Sequence, residues 1–169
     1  QAKDSAARGL PMLRALFVEF PEDPGAWLVD DEYLFGASLL VAPLIEAETS
    51  ARKVYLPPGQ WIDYQTGRAY DGGWHVIAAG EIPIGLLVRE GSVVPHIALA
   101  QSTAQMDWSK LELVAYARPG RPATGLVFRP GDAQLSQVTV TTSGAPQLVR
   151  DPLGGRVTWT IRSGIPSQP

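Results

Sequence analysis

Residues 10–43, LPMLRALFVEFPEDPGAWLVDDEYLFGASLLVAP, decide how this chain is read, because the character of the sequence changes within them. From Leu10 to Phe20 they are almost continuously apolar, broken by Arg14 and Glu19. Continuous apolarity rather than alternation predicts a strand over 10–20 buried on both faces, as in a parallel barrel. Pro21 and Pro24 in FPEDPG stop that strand and open a loop. In a barrel such a loop leaves the C-terminal end of the strand, the face where barrel active sites lie. Asp30 and Asp31 stand where they can cap a short helix over 32–35, with Gly36 ending it. Upstream, QAKDSAARG reads as the end of a helix with Gly9 just past it.

From Leu39 onward the pattern becomes short β-rich runs punctuated by Pro and Gly: SLLVAPLI, ARKVYLP, GQWIDYQTG, GWHVIAA, IGLLVRE and SVVPHIA. Turns are expected at Pro57-Pro58-Gly59, Thr66-Gly67 and Asp71-Gly72-Gly73, and the spacing indicates an antiparallel sandwich. A second set follows: KLELVAYA, TGLVFRP, SQVTVTT, PQLVR and RVTWTIR. Val138 with Val140, and Val157 with Trp159 and Ile161, alternate as a half-buried strand does. Gly154-Gly155 reads as a turn and residues 164–169, GIPSQP, as a frayed tail. The boundary between the two sets is expected in 98–107, a stretch poor in bulky apolar side chains.

Composition excludes several classes. The 169 residues carry a formal net charge of -3, which leaves no basic footprint for nucleic acid. No apolar run is long enough to cross a bilayer as a helix, so no membrane partner is expected. There is no cysteine, so disulfides and cysteine-based zinc sites are out. The histidines, His75 and His96, have no metal-ligand spacing, and no phosphate-binding glycine loop or nucleophile elbow occurs. The chain begins at Gln1 without Met or a leader, which agrees with an internal piece of a longer protein.

Four blocks carry a family resemblance: 10–43, VYLPPGQWIDYQTGRAYDGG at 54–73, IPIGLLVREGSVVP at 82–95 and QSTAQMDWSKLEL at 101–113. In this order they resemble the C-terminal part of glycoside hydrolase family 31 enzymes, the α-glucosidases and α-xylosidases. The resemblance implies a mainly β chain: two antiparallel β-sandwich domains preceded by a short helix–strand remnant of a (β/α)8 barrel. Residues 1–36 would be the end of that barrel, 37–100 a proximal and 101–169 a distal β-domain. It further implies a parent enzyme that hydrolyses terminal α-linked glucose or xylose through a covalent glycosyl-aspartate, without metal or organic cofactor. The partners it implies are the upstream catalytic barrel and, through the whole enzyme, a carbohydrate substrate. The catalytic aspartates of the family lie upstream of anything present, so no residue of this chain is a catalytic candidate.

The residues themselves agree. Retaining glycosidases need two carboxyls about 5–5.5 Å apart across the scissile bond. Glu22 and Asp23 are sequence neighbours whose side chains diverge, and Asp30 and Asp31 are placed as helix caps. Glu19, directed toward the catalytic face, is the acidic candidate for a role near substrate. Trp27, in the loop after the strand, is the aromatic one, because loops at that face shape subsites. Arg14, inside an apolar run, must pair with a carboxylate or carbonyls, and the expectation is that these lie in missing parts of the barrel. A different class of function is a stand-alone carbohydrate-binding β-sandwich module that uses Trp61, Tyr64, Tyr70 and Trp74 as a stacking surface.

Overall fold

The computed structural model describes residues 1–47, 49–118, 120–129, 131–141 and 158–162. The chain is mainly β, with two sheets, and it forms two compact units, Gln1–Glu90 and a second that begins at Gly91. The division falls before 98–107 because the strand at 92–96 pairs with a strand at 112–116, which draws it into the second unit. The expected strand at 146–150, the Gly154-Gly155 turn, Val157 and the tail at 164–169 lie outside the described residues.

In the first unit, helix α1 (Ala2–Arg8) closes at Gly9, whose φ of 67° is one that residues with a Cβ rarely adopt. Strand β1 (Leu13–Arg14) pairs antiparallel with β2 (Tyr33–Phe35), and between them come helix α2 (Leu16–Glu19) and a 3-10 turn (Pro24–Trp27). Strands β3 (Leu39–Pro43), β4 (Ala51–Asp63), β5 (Ala69–Ala78) and β6 (Ile84–Arg89) complete a six-stranded sheet. Its order is β1-β2-β3-β6-β4-β5, and every pairing in it is antiparallel. Leu16, Leu34, Leu56, Trp61 and Leu87, all with no exposure, form the centre of its core.

Four local expectations are corrected here. The strand expected over 10–20 is reduced to two residues, followed by a helical turn. Leu16 and Phe20, four residues apart, both reach the core, while Phe17 and Val18 point outward. That is helical spacing, and a short apolar run does not distinguish it from a strand. The helix expected over 32–35 is instead strand β2. Leu34 and Leu40 face each other across the hairpin, both fully buried, and this pairing outweighs the capping signal of Asp30 and Asp31. Pro57-Pro58-Gly59 does not end a strand. It lies in a bulge inside β4, where the register against β5 shifts between Leu56 and Gln60, a place where two prolines without N–H donors are tolerated. Asp71-Gly72-Gly73 lies in β5 on the other side of that bulge. The Thr66-Gly67 turn is as expected: the Asp63 carboxylate accepts from the amides of Gln65 and Thr66 at 2.9 and 2.7 Å.

The second unit holds β7 (Ser92–His96), β8 (Glu112–Tyr116), β9 (Pro122–Val127), β10 (Ser136–Thr141) and β11 (Thr158–Arg162) in the order β10-β9-β7-β8-β11. The pairs β7–β8 and β9–β10 are antiparallel, whereas β11 runs parallel to β8 and β9 meets β7 in parallel at Ser92 and Thr124. Val138 and Val140 are buried with Thr139 exposed between them, the alternation their sequence indicates. Gly125 lies against the Val93 backbone, and an added Cβ would collide with the Val93 carbonyl.

Candidate functional site

The loop that follows α2 is held by side chains from two directions. The Asp23 carboxylate accepts from the Gly25 amide at 3.0 Å, which caps the 3-10 turn, and from the Tyr55 hydroxyl at 2.8 and 2.9 Å. Tyr55 stands on β4 with its ring over Gly25, so closely that a Cβ there would collide with the phenol. Burial, reinforced by the Asp23 carboxylate, pushes the Tyr55 hydroxyl up to about 12, so it remains a donor throughout the physiological range. The loop thereby presents Trp27. Its indole stacks on Phe17 with ring centroids 4.6 Å apart and planes within 14°, and its Nε1 donates to the Pro21 carbonyl at 2.9 Å. The residue remains 58% exposed. An open cleft of about 380 Å³ lies against this loop, lined by Glu19, Phe20, Pro21, Glu22, Asp23, Pro24 and Pro58.

Glu19 lines that cleft but is ion-paired with Arg14. Arg14 is 1% exposed, and its Nε donates to the Pro11 carbonyl at 2.7 Å, while its Nη2 lies 4.0 Å from Asp4 Oδ2. The expectation that Arg14 finds its partners outside this chain is thus corrected. A turn of helix at 16–19 brings Glu19 back to it, and α1 supplies Asp4. Glu19 and Asp23 are both held by structural donors.

A second ionic cluster had no signal in the sequence. Glu32, with a fully buried side chain, accepts from the Tyr55 amide at 2.8 Å and lies 3.8 Å from Arg52 Nη2. Arg52 also pairs with the Asp31 carboxylate and donates to the carbonyls of Asp31 and Pro43 at 3.1 and 2.8 Å. Burial pushes the Glu32 carboxyl up to about 7, opposed by the Tyr55 amide and the Arg52 charge. The cluster ties the segment before β2 to β4.

The four aromatic residues of the stacking-surface alternative do not share one exposed face. Trp61 is fully buried, its Nε1 donating to the Pro57 carbonyl at 2.9 Å. Tyr70 packs partly against the core, and Tyr64 is half-buried. Trp74 is 55% exposed on β5, tilted against Tyr55 at 5.2 Å, with Lys53 Nζ 5.5 Å from its ring centre.

The chain belongs to glycosyl hydrolase family 31: the family model described as "Glycosyl hydrolase family 31 C-terminal domain" matches residues 9–94, just over half of it. Alpha-glucosidase 2 of Bacillus thermoamyloliquefaciens is 33% identical over 114 residues, covering 67% of this chain and 14% of its own length. An alpha-glucosidase of Saccharolobus solfataricus is 40% identical over 94 residues, covering 56% of this chain and 13% of its own. Among solved structures, a GH31 alpha-xylosidase from Xanthomonas citri matches with a TM-score of 0.63 and 34% identity, over 75% of this chain and 14% of that one. The chain therefore spans only about one seventh of the length of the relatives it matches.

Proposed function

We propose that this chain is the C-terminal β-part of a retaining α-glycosidase that hydrolyses terminal α-linked glucose or xylose, and that its own part in the reaction is structural. The observation that carries the proposal is the match of residues 9–94 to the C-terminal domain of a family whose matched members, far longer than this chain, include α-glucosidases and α-xylosidases. Residues 1–36 then carry the junction with the catalytic barrel, the rest of the first unit stands for the proximal β-domain, and the second unit, from Gly91, for the distal one. Two features support this arrangement. Leu13 and Val18 turn apolar side chains outward at 59% and 36% exposure, a surface suited to a covering barrel flank. Glu19 and Asp23 are spent on Arg14 and on Tyr55 with the Gly25 amide, so the reacting carboxyl pair is assigned to the barrel. There one aspartate attacks the anomeric carbon while the other protonates the leaving oxygen, and the second then activates water to release the sugar with retained configuration.

The test is the complete protein that contains this segment. Its products from an aryl α-glucoside and an aryl α-xyloside, followed by proton NMR, should appear first as the α-anomer. A mechanism-based fluoroglycoside should label an aspartate outside this chain. Release of the β-anomer first, or a label on Glu19, Glu22 or Asp23, would overturn the assignment. The stand-alone sugar-binding module loses its basis with Trp61 in the core, because it required that ring at the surface.

A further inference from the structure

We propose that Trp27, together with the cleft lined by Phe20, Pro21, Glu22 and Pro24, forms an outer subsite for a pyranose ring of an α-linked oligosaccharide. The sugar class rests on the α-glycosidase function proposed above; the site rests on the geometry of the loop. Sugars bind proteins through an aromatic face for their C–H bonds and polar atoms for their hydroxyls, and both are present here. The Trp27 indole is fixed on one side by its stack on Phe17, at 4.6 Å, and at its edge by the hydrogen bond from Nε1 to the Pro21 carbonyl. More than half of the residue is left to solvent. Its rotamer is therefore set before a ligand arrives, which lowers the entropic cost of stacking.

Pro21 links the two halves of the site, since its carbonyl holds the indole while the residue itself lines the cleft. The cleft, about 380 Å³, is in the range of small-molecule sites, with proline and phenylalanine walls and the exposed Glu22 carboxylate at its rim. A carboxylate at that position accepts hydrogen bonds from sugar hydroxyls. Behind it, Asp23 is already satisfied by Tyr55 and the Gly25 amide, so it stiffens the loop and leaves ligand contact to Glu22. Trp74, the other exposed indole among the described residues, differs: Tyr55 is tilted against it at 5.2 Å and Lys53 stands over its ring at 5.5 Å.

Ligand-observed saturation-transfer NMR on this chain, with maltotriose and with isomaltotriose at millimolar concentration, tests the subsite without catalysis. The expected result is transfer concentrated on the C–H protons of one ring, lost in Trp27→Ala, partly kept in Trp27→Phe, weakened in Glu22→Gln and unchanged in Trp74→Ala. No transfer to either sugar, or transfer abolished by Trp74→Ala and not by Trp27→Ala, would overturn it. In the complete protein, Trp27→Ala should raise KM for the trisaccharide more than for an aryl α-glycoside. Equal losses on both substrates would mean that Trp27 is buried against the barrel, and the subsite would fall. Saturation transfer with no glycosidase activity in the complete protein would remove the proposed function and keep the sugar site. Retaining activity without any transfer would do the reverse.

Discussion

The Tyr55 hydroxyl donates to both carboxylate oxygens of Asp23, at 2.8 and 2.9 Å, so one side chain of β4 holds the loop that carries Trp27. Hydrogen bonds to a charged group contribute about 1.5–3 kcal/mol, and Tyr55→Phe should lower stability by that order. Hydrogen exchange should report where. The amides of Ala26 and Leu28, which donate to the carbonyls of Asp23 and Gly25 at 3.1 Å, should exchange faster, while that of Val88 at the centre of the sheet should keep its protection. Gly25→Ala should give the same pattern, because its Cβ displaces the phenol ring. Unchanged exchange at Ala26 in both variants would show that the loop is held by something else.

Glu32 sets a pH dependence whose sign is defined. Its carboxyl is raised from 4.5 to about 7 in the folded chain, chiefly by burial. Between these values the folded state keeps a proton that the unfolded chain releases, so this group makes stability fall as pH rises through the window and level off above it. Glu32→Gln preserves an acceptor for the Tyr55 amide and should flatten that slope. Urea midpoints of both proteins at about pH 5 and about pH 8 check it. A slope of the same size in the glutamine variant would remove Glu32 as its source.

Arg14 is the buried charge on which the N-terminal segment depends. Removing one partner of a buried ion pair costs about 3–5 kcal/mol, because the other is left uncompensated. Arg14→Leu, which strands Glu19, should be destabilising on that scale, and the double variant Arg14→Leu/Glu19→Leu should recover part of the loss. Additive losses in thermal or urea unfolding would show that the two side chains are not energetically coupled.

How much of this could be seen beforehand depended on the range of the interaction. Gly9, the Thr66-Gly67 turn and the Val138–Val140 alternation are local signals, and each appears as expected. The segment over 10–20 carries no local sign of its helical turn because its conformation is set from afar. Phe20 is drawn inward against Trp61, at 6.3 Å between rings, and nothing within the run announces that contact. Asp23 and Tyr55 lie 32 residues apart, and Glu32 and the Tyr55 amide 23 apart, so neither pairing leaves a spacing to be recognised. Trp27 could be singled out because it lies in the loop that follows the apolar run, just past Pro21 and Pro24, and such loops shape subsites. Its stack on Phe17 could not, since that requires the helical turn at 16–19.

Gly125 makes a prediction for the second unit alone. Because β9 approaches the Val93 backbone there, Gly125→Ala should force the strands apart and cost about 1–3 kcal/mol, the usual penalty of overpacking. Amide protection should fall at Val94 and Thr124 and stay unchanged at Val88 in the first unit. Loss of protection in both units together would contradict an effect confined to β7 and β9.

The most direct measurement of the central claim is the activity of this chain by itself on an aryl α-glucoside and an aryl α-xyloside. The structural role assigned to it predicts release of aryl alcohol no faster than the buffer blank, with Glu19 bound to Arg14 and Asp23 to Tyr55. Turnover above the blank that disappears in Glu19→Gln would contradict it, and would place the acid chemistry within these residues.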